Sequence, residues 1–190
     1  MYLSRRRLAG LALPILAIGC SSSPEPALYT IPMKPGPVLT SGPRIVQLRD
    51  IGLASYLDRK EIVRSSADYR LGVMANDWWG ESLSTMLGRV VVVGLSQRLP
   101  NSNVYAEGGA ISADANAVVA VNIQRLDLDQ AGALLLLAQA AVEFNRPKRS
   151  AAKSFRIATP LPAPTVSGQV AAMSDAAAEL TDGLAAMLQT

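Results

Sequence analysis

Apolar residues recur with two different periods along this chain, and each period predicts a different kind of element. Arg44-Ile45-Val46-Gln47-Leu48-Arg49 alternates apolar and polar positions, which predicts a strand with Ile45 or Val46 facing inward. A turn-rich piece from Asp50 to Arg59 leads to Glu61-Ile62-Val63-Arg64. Ser65-Ser66-Ala67-Asp68 then turns the chain into Tyr69-Arg70-Leu71-Gly72-Val73, so this region predicts a hairpin. Asn103-Val104-Tyr105 is a short candidate strand, and three longer ones follow over 117–129, 133–144 and 150–158. Their connections, Gln130-Ala131-Gly132 and Asn145-Arg146-Pro147-Lys148, are short enough to allow only antiparallel neighbours. Leu134 to Leu137 stand in a row, so the middle strand is expected to be covered on both faces or to lie in a homo-oligomer interface.

Two stretches switch to the helical period of three and four. In the first, Trp79, Leu83, Met86 or Leu87, Val90 and Gly94 share a face. Asn76 or Asp77 is the candidate cap, with Glu81 in the first turn. Val90 to Val93 is β-branched and locally favours strand, so periodicity and propensity conflict there. In the second, Val170, Met173, Ala177, Leu180, Leu184 and Met187 form the apolar stripe. Ser167 is a candidate cap, and Asp175, Glu179 and Asp182 are expected on the wet side. The stripe either packs on the sheet or docks on a partner. The expected fold is α+β: a mostly antiparallel sheet with two main amphipathic helices packed on it, as a single domain over 44–190.

The chain upstream of that domain follows neither period. Prolines at 24, 26, 32, 35, 37 and 43 predict extended backbone at roughly 3.1 Å per residue, so residues 20–43 read as a stiff tether. Within it, Leu28-Tyr29-Thr30-Ile31 is a β-prone island able to dock as an edge strand. Before the tether come Arg5-Arg6-Arg7, an apolar run from Leu8 to Ile18, small Gly19 and Cys20. This is the layout of a secretory signal peptide, too short to serve comfortably as a permanent span. It resembles a bacterial lipoprotein leader, and Ala17-Ile18-Gly19-Cys20 fits the box in which the cysteine receives the lipid. The resemblance implies cleavage after residue 19, a diacylglycerol thioether on Cys20 and an acylated amino terminus. Several buried chains at roughly 0.8 kcal/mol per CH₂ make a stable anchor where one would not. The same resemblance implies sorting to the outer membrane, periplasmic face, because Ser21 stands where an Asp would oppose export.

Composition then removes whole classes of function. The net charge is +3, but taking away Arg5, Arg6 and Arg7 leaves fifteen basic residues against fifteen acidic ones. The basicity belongs to the leader, so nucleic acid is not an expected partner. There is no histidine and only one cysteine. His-activated nucleophiles, histidine metal sites, cysteine metal clusters and intramolecular disulfides are therefore excluded. No cofactor is expected beyond the covalent lipid, and no catalytic residue stands out. Asp127 and Asp129 lie two apart and on a strand would share a face, as a cation site, an acid–base pair or plain turn punctuation. Gly108-Gly109 lacks the context of a phosphate cradle. Trp78 and Trp79 would either line a lipid-facing groove or split between core and rim.

Tyr56-Leu57-Asp58-Arg59-Lys60-Glu61-Ile62-Val63 resembles the YLDRPQIV signature of the PqiC/YmbA-type auxiliary lipoproteins of ABC transporters. Trp79-Gly80-Glu81-Ser82-Leu83 is similar to the family's RWAEPL, and Tyr29-Thr30-Ile31 sits where the family has YTL. Lys60 and Ser82 replace prolines of the pattern, Trp78 stands where Arg is common, and residues 133–144 lack the usual tryptophan. The resemblance implies a non-enzymatic subunit of an MCE-type lipid-transport system, docking a periplasmic tunnel protein at the outer membrane. A structural lipoprotein of another envelope machine, for secretion or lipopolysaccharide export, is the alternative. Tyr56, Leu57, Asp58, Arg59, Trp78 and Trp79 are the candidate partner-binding residues, with Asp58 and Arg59 able instead to serve the turn itself.

Overall fold

A computed structural model describes residues 25–66, 69–110 and 113–189. Its centre is a long meander, β7 (Ala117–Leu128), β8 (Leu134–Asn145) and β9 (Lys148–Thr159), antiparallel throughout. Strict alternation puts Ala117, Val119, Val121 and Ile123 of β7 inward. A register shift between Ile123 and Arg125 then resets the phase, so Leu126 and Leu128 also face the core while Asp127 faces away from it. In β8, Leu134 and Leu136 enter the core. Leu135 is buried on the opposite face beside its cross-strand partner Asp127, with Arg125 and Arg156 alongside. The four-leucine run is thus covered on two faces within one chain.

The other edge of β7 is shared by three short strands in succession. β2 (Ile45–Leu48) pairs with its start, β3 (Gly52–Leu53) with its middle and β4 (Glu61–Ser65) with its end, all parallel. From there the sheet forks. β2 continues to β6 (Asn103–Ala106) in parallel, while β4 pairs antiparallel with β5 (Gly72–Trp79), which pairs in parallel with β1 (Ala27–Tyr29). The nine-stranded sheet is therefore mixed: the long pairings are antiparallel as expected, and the short ones around β7 are largely parallel. The early hairpin is present as β4–β5, but its second strand begins at Gly72 and runs on to Trp79, leaving Tyr69 to Leu71 in the connection.

Helices α1 (Leu83–Arg98) and α2 (Val166–Met187) pack against each other, with α2 lying on β8 and β9. The expected periodicity holds in α1, where Leu83, Met86, Leu87, Val90, Val91, Gly94 and Leu95 are buried. Burial of Val90 and Val91 decides the helix against local propensity. Both caps differ from expectation. β5 runs on through Trp79, so Ser82, whose Oγ accepts from the Thr85 N–H at 3.3 Å, caps α1. Glu81 lies before the cap and pairs with Arg89. Thr165, not Ser167, caps α2, accepting from Gly168 N–H at 3.0 Å.

α2 is buried on more than its stripe, since Ser174, Ala176, Thr181 and Ala185 are covered too. What covers it includes the segment expected to be a tether. The prolines do keep that segment extended, but its path runs over the two helices. Ile31 is wholly buried with its N–H on the Met86 sulfur, Gly36 exchanges hydrogen bonds with Gln97 at 2.9 and 3.1 Å, and Leu39 N–H reaches the Arg98 carbonyl at 2.7 Å. Lys34 pairs with Asp175 and Arg98 with Asp182, so two of the three acids expected in water are engaged. Beneath Gly36, buried Arg98 pairs with Asp182 and donates to the Gly94 and Ala178 carbonyls. A Cβ at Gly36 would lie 2.3 Å from both partners of that pair, which is why glycine stands there.

Candidate functional site

The signature segment follows from the fork. After Leu53, the Ala54 N–H bonds Ile123 O at 2.9 Å and the chain leaves β7 in a turn closed by Leu57 N–H on Ala54 O at 2.9 Å. It rejoins β7 only at Ser65, opposite Leu128. The gap left in the sheet is filled by a polar cluster centred on Asp127, which is fully buried. Its carboxylate accepts from Tyr56 Oη at 2.8 Å, Ser66 Oγ at 2.8 Å and Arg125 Nε at 2.9 Å. Arg125 also donates to Leu128 O at 3.0 Å. Burial, reinforced by the hydrogen bond to the Asp127 carboxylate, pushes the Tyr56 phenol up to about 12. A buried charge with three donors is a closed arrangement that holds the turn against the strand.

The sequence-derived candidates therefore divide. Tyr56 locks the turn through Asp127, and Leu57 and Trp79 lie in the core. Asp58 and Arg59 are exposed at the tip of the turn. Trp78 is half-buried, held by Nε1–H to Ala75 O at 2.9 Å, with the Lys60 ammonium 3.7 Å from its ring centroid. Leu28, paired in register with Trp78, is 69% exposed. The two tryptophans thus split between core and rim. Asp58, Arg59, Lys60, Trp78 and Leu28 remain as an outward-facing amphipathic rim. Nearby, Tyr29 Oη donates to Asp77 at 2.9 Å, and that bond raises its pKa.

Asp127 and Asp129 do not act together. Asp129 caps the β7–β8 turn, accepting from the Ala131 and Ala133 N–H groups at 2.9 and 3.0 Å. Among the described residues no three His, Cys, Asp or Glu side chains gather as a metal site. No helix there is long and apolar enough to cross a membrane. Cys20 and Ser21 lie outside the described residues. The sequence reading missed a groove of about 540 Å³ between α1 and the end of β2, floored by Ile51, Gly88, Val92 and Ala106. Its signal was legible: four consecutive valines place apolar groups on more of α1 than one buried face needs.

Solved structures share this fold. One crystal structure of an uncharacterised protein superposes with a TM-score of 0.73 at 15% identity, covering 86% of this chain and 98% of its own. A Xanthomonas campestris protein, XCC0632, of the DUF330 family does so with a TM-score of 0.66 at 18% identity, covering 84% and 92%. No curated protein matches the chain. The sequence profile of the ABC-type transport auxiliary lipoprotein component spans residues 29–185, from the last residue of β1 into the last turn of α2. A match of that extent, over nearly all of the strands and helices, makes this chain a member of the ABC-type transport auxiliary lipoprotein component family.

Proposed function

We propose that the protein is the outer-membrane subunit of an MCE-type ABC lipid-transport system, anchored through a diacylglycerol thioether on Cys20 and docking the periplasmic tunnel protein with its folded domain. The observation that carries this reading is the family match over 29–185, because that family is an auxiliary transport component and not an enzyme family. Ser21 after the lipidated residue supports sorting to the outer membrane. The rim of Asp58, Arg59, Lys60, Trp78 and Leu28 supplies the docking surface: an aromatic anchor beside charges of both signs, on a turn held rigid from behind by Tyr56 and Asp127. Core residues Leu57 and Trp79 act only by shaping it.

Purification in mild detergent, with the tunnel protein present, should recover the two together. The double variant Arg59→Glu, Trp78→Ser should lose at least ten-fold in recovery with its thermal unfolding little changed. Cys20→Ser should abolish incorporation of a fatty-acid probe. Full recovery by the double variant would displace the docking surface, and crosslinks leading only to a secretion or lipopolysaccharide-export machine would replace the MCE assignment.

A further inference from the structure

The β4–β5 hairpin ends in an exposed, outward-reaching pair of apolar side chains with an arginine between them. Tyr69 is 109% exposed and Leu71 is 41% exposed, with Arg70 in water beside them. Tyr69 adopts φ +59°, the only positive φ of a non-glycine among the described residues. That left-handed backbone disfavours an L side chain, and here it turns a ring away from the protein with none of the described residues packed on it.

Strand register ties this tip to the chain terminus. β1 pairs in parallel with β5 from Ala27 opposite Asp77 to Tyr29 opposite Trp79. Followed backwards, β1 therefore points along β5 toward Gly72 and the hairpin tip. Leu71 lies six residues before Asp77, about 20 Å away along the strand. Cys20 lies seven residues before Ala27, a reach of up to about 25 Å. Because residues 27–39 are docked and not free, this short stretch is all that separates a lipid on Cys20 from the folded domain. The direction of β1 and the short reach from Ala27 back to Cys20 put the hairpin end within range of a bilayer that holds the lipid, and that end presents what an interface takes: a tyrosine and a leucine for the headgroup boundary and an arginine for lipid phosphate.

On this basis, and resting on the lipid-anchor reading, we infer that the Tyr69-Arg70-Leu71 hairpin tip is a second membrane contact, seated in the lipid headgroups of the bilayer that holds Cys20. Two points of attachment fix the orientation of the domain, with the Trp78 rim about 20 Å farther along β5 from the bilayer. One anchor alone would let it swivel.

The test uses the full lipidated protein in vesicles of phosphatidylethanolamine and phosphatidylglycerol. The Cys20 sulfur is consumed by the thioether, so Leu71→Cys provides the single free thiol for a nitroxide. That label should be shielded from a water-soluble nickel relaxer and reached by oxygen, whereas a label at Val93→Cys on α1 should show the opposite. Adding Tyr69→Asp should return the Leu71→Cys label to the Val93→Cys level of nickel accessibility, and Arg70→Cys serves if Leu71→Cys folds poorly. A water-accessible tip on protein whose Cys20 mass shows acylation overturns the contact and leaves the anchor standing. An unacylated Cys20 overturns both, since the chain then gives no reason for a bilayer at this end.

Discussion

Asp127 shows how a single side chain changes meaning between sequence and structure. Two residues from Asp129 it resembled half of a carboxylate pair, yet the register shift at Arg125 buries it under three donors while Asp129 closes the next turn. No local pattern announces a bulge, so this pairing was invisible in the sequence. The cluster has a titration consequence. The Tyr56 phenol sits at about 12 in the folded protein against 10.0 for the free group, so native protein keeps its proton where unfolded chain has lost it. The unfolded state then binds fewer protons, and the contribution is complete below pH 10 and lost as pH rises toward 12. Tyr56→Phe should flatten the fall in stability over that window, as read by urea unfolding at successive pH values. An unaltered slope would place the drop on other groups. Asp58 and Arg59, next in the chain, are exposed, so the signature mixes residues that build the turn with residues the turn displays.

At the level of elements, strands and helices were legible wherever period and length agreed. The meander, β4 and α2 fall where the apolar pattern puts them, while β5 runs from Gly72 to Trp79 instead of Tyr69 to Val73 and takes Trp79 from the start of α1. What escaped were junctions, where a local signal has several uses. Asn76 and Asp77 are good caps in isolation, but β-pairing with β1 and β4 carries the strand past them to Trp79. The proline-rich stretch was read correctly as extended, and its Leu28-Tyr29-Thr30-Ile31 island correctly as able to dock at a sheet edge, where β1 lies; read wrongly as free was the part from Met33 to Leu39, which packs over the helices. Composition sets backbone shape, whereas docking depends on whether the other elements leave an apolar slot of the right length. Here they do, and Ile31 fills it. Ile31→Ala should lower stability by about 2–5 kcal/mol, the cost of truncating a fully buried aliphatic side chain. Chemical denaturation of the mature protein measures this, and a loss under 1 kcal/mol would return the segment to the status of a tether.

For the molecule as a whole, the net charge resides in one segment of the sequence. Sequence pI is about 9.2, but the excess lies in Arg5, Arg6 and Arg7. Processed protein should therefore focus close to neutrality, while the unprocessed Cys20→Ser chain should stay basic. Isoelectric focusing separates the two outcomes, and a basic mature form would mean the leader is retained. Among the described residues the long β9 pairs only with β8, and its Lys148, Arg149, Lys153 and Arg156 make its outer edge a poor template for another strand. The docked amino-terminal segment also shortens the distance between any lipid on Cys20 and the domain, which is the length that sets the membrane-contact proposal.

The sequence by itself determined the kinds of element, their order, the absence of histidine and disulfide chemistry, and the resemblance that the family match upheld, because each of these is carried by residue type and near-neighbour spacing. Only the tertiary structure decided the fork at β7, the burial of Asp127, the docking of the proline segment and the direction in which β1 runs along β5. Each of those depends on contacts between residues tens of positions apart, where many pairings satisfy the local rules and packing selects one.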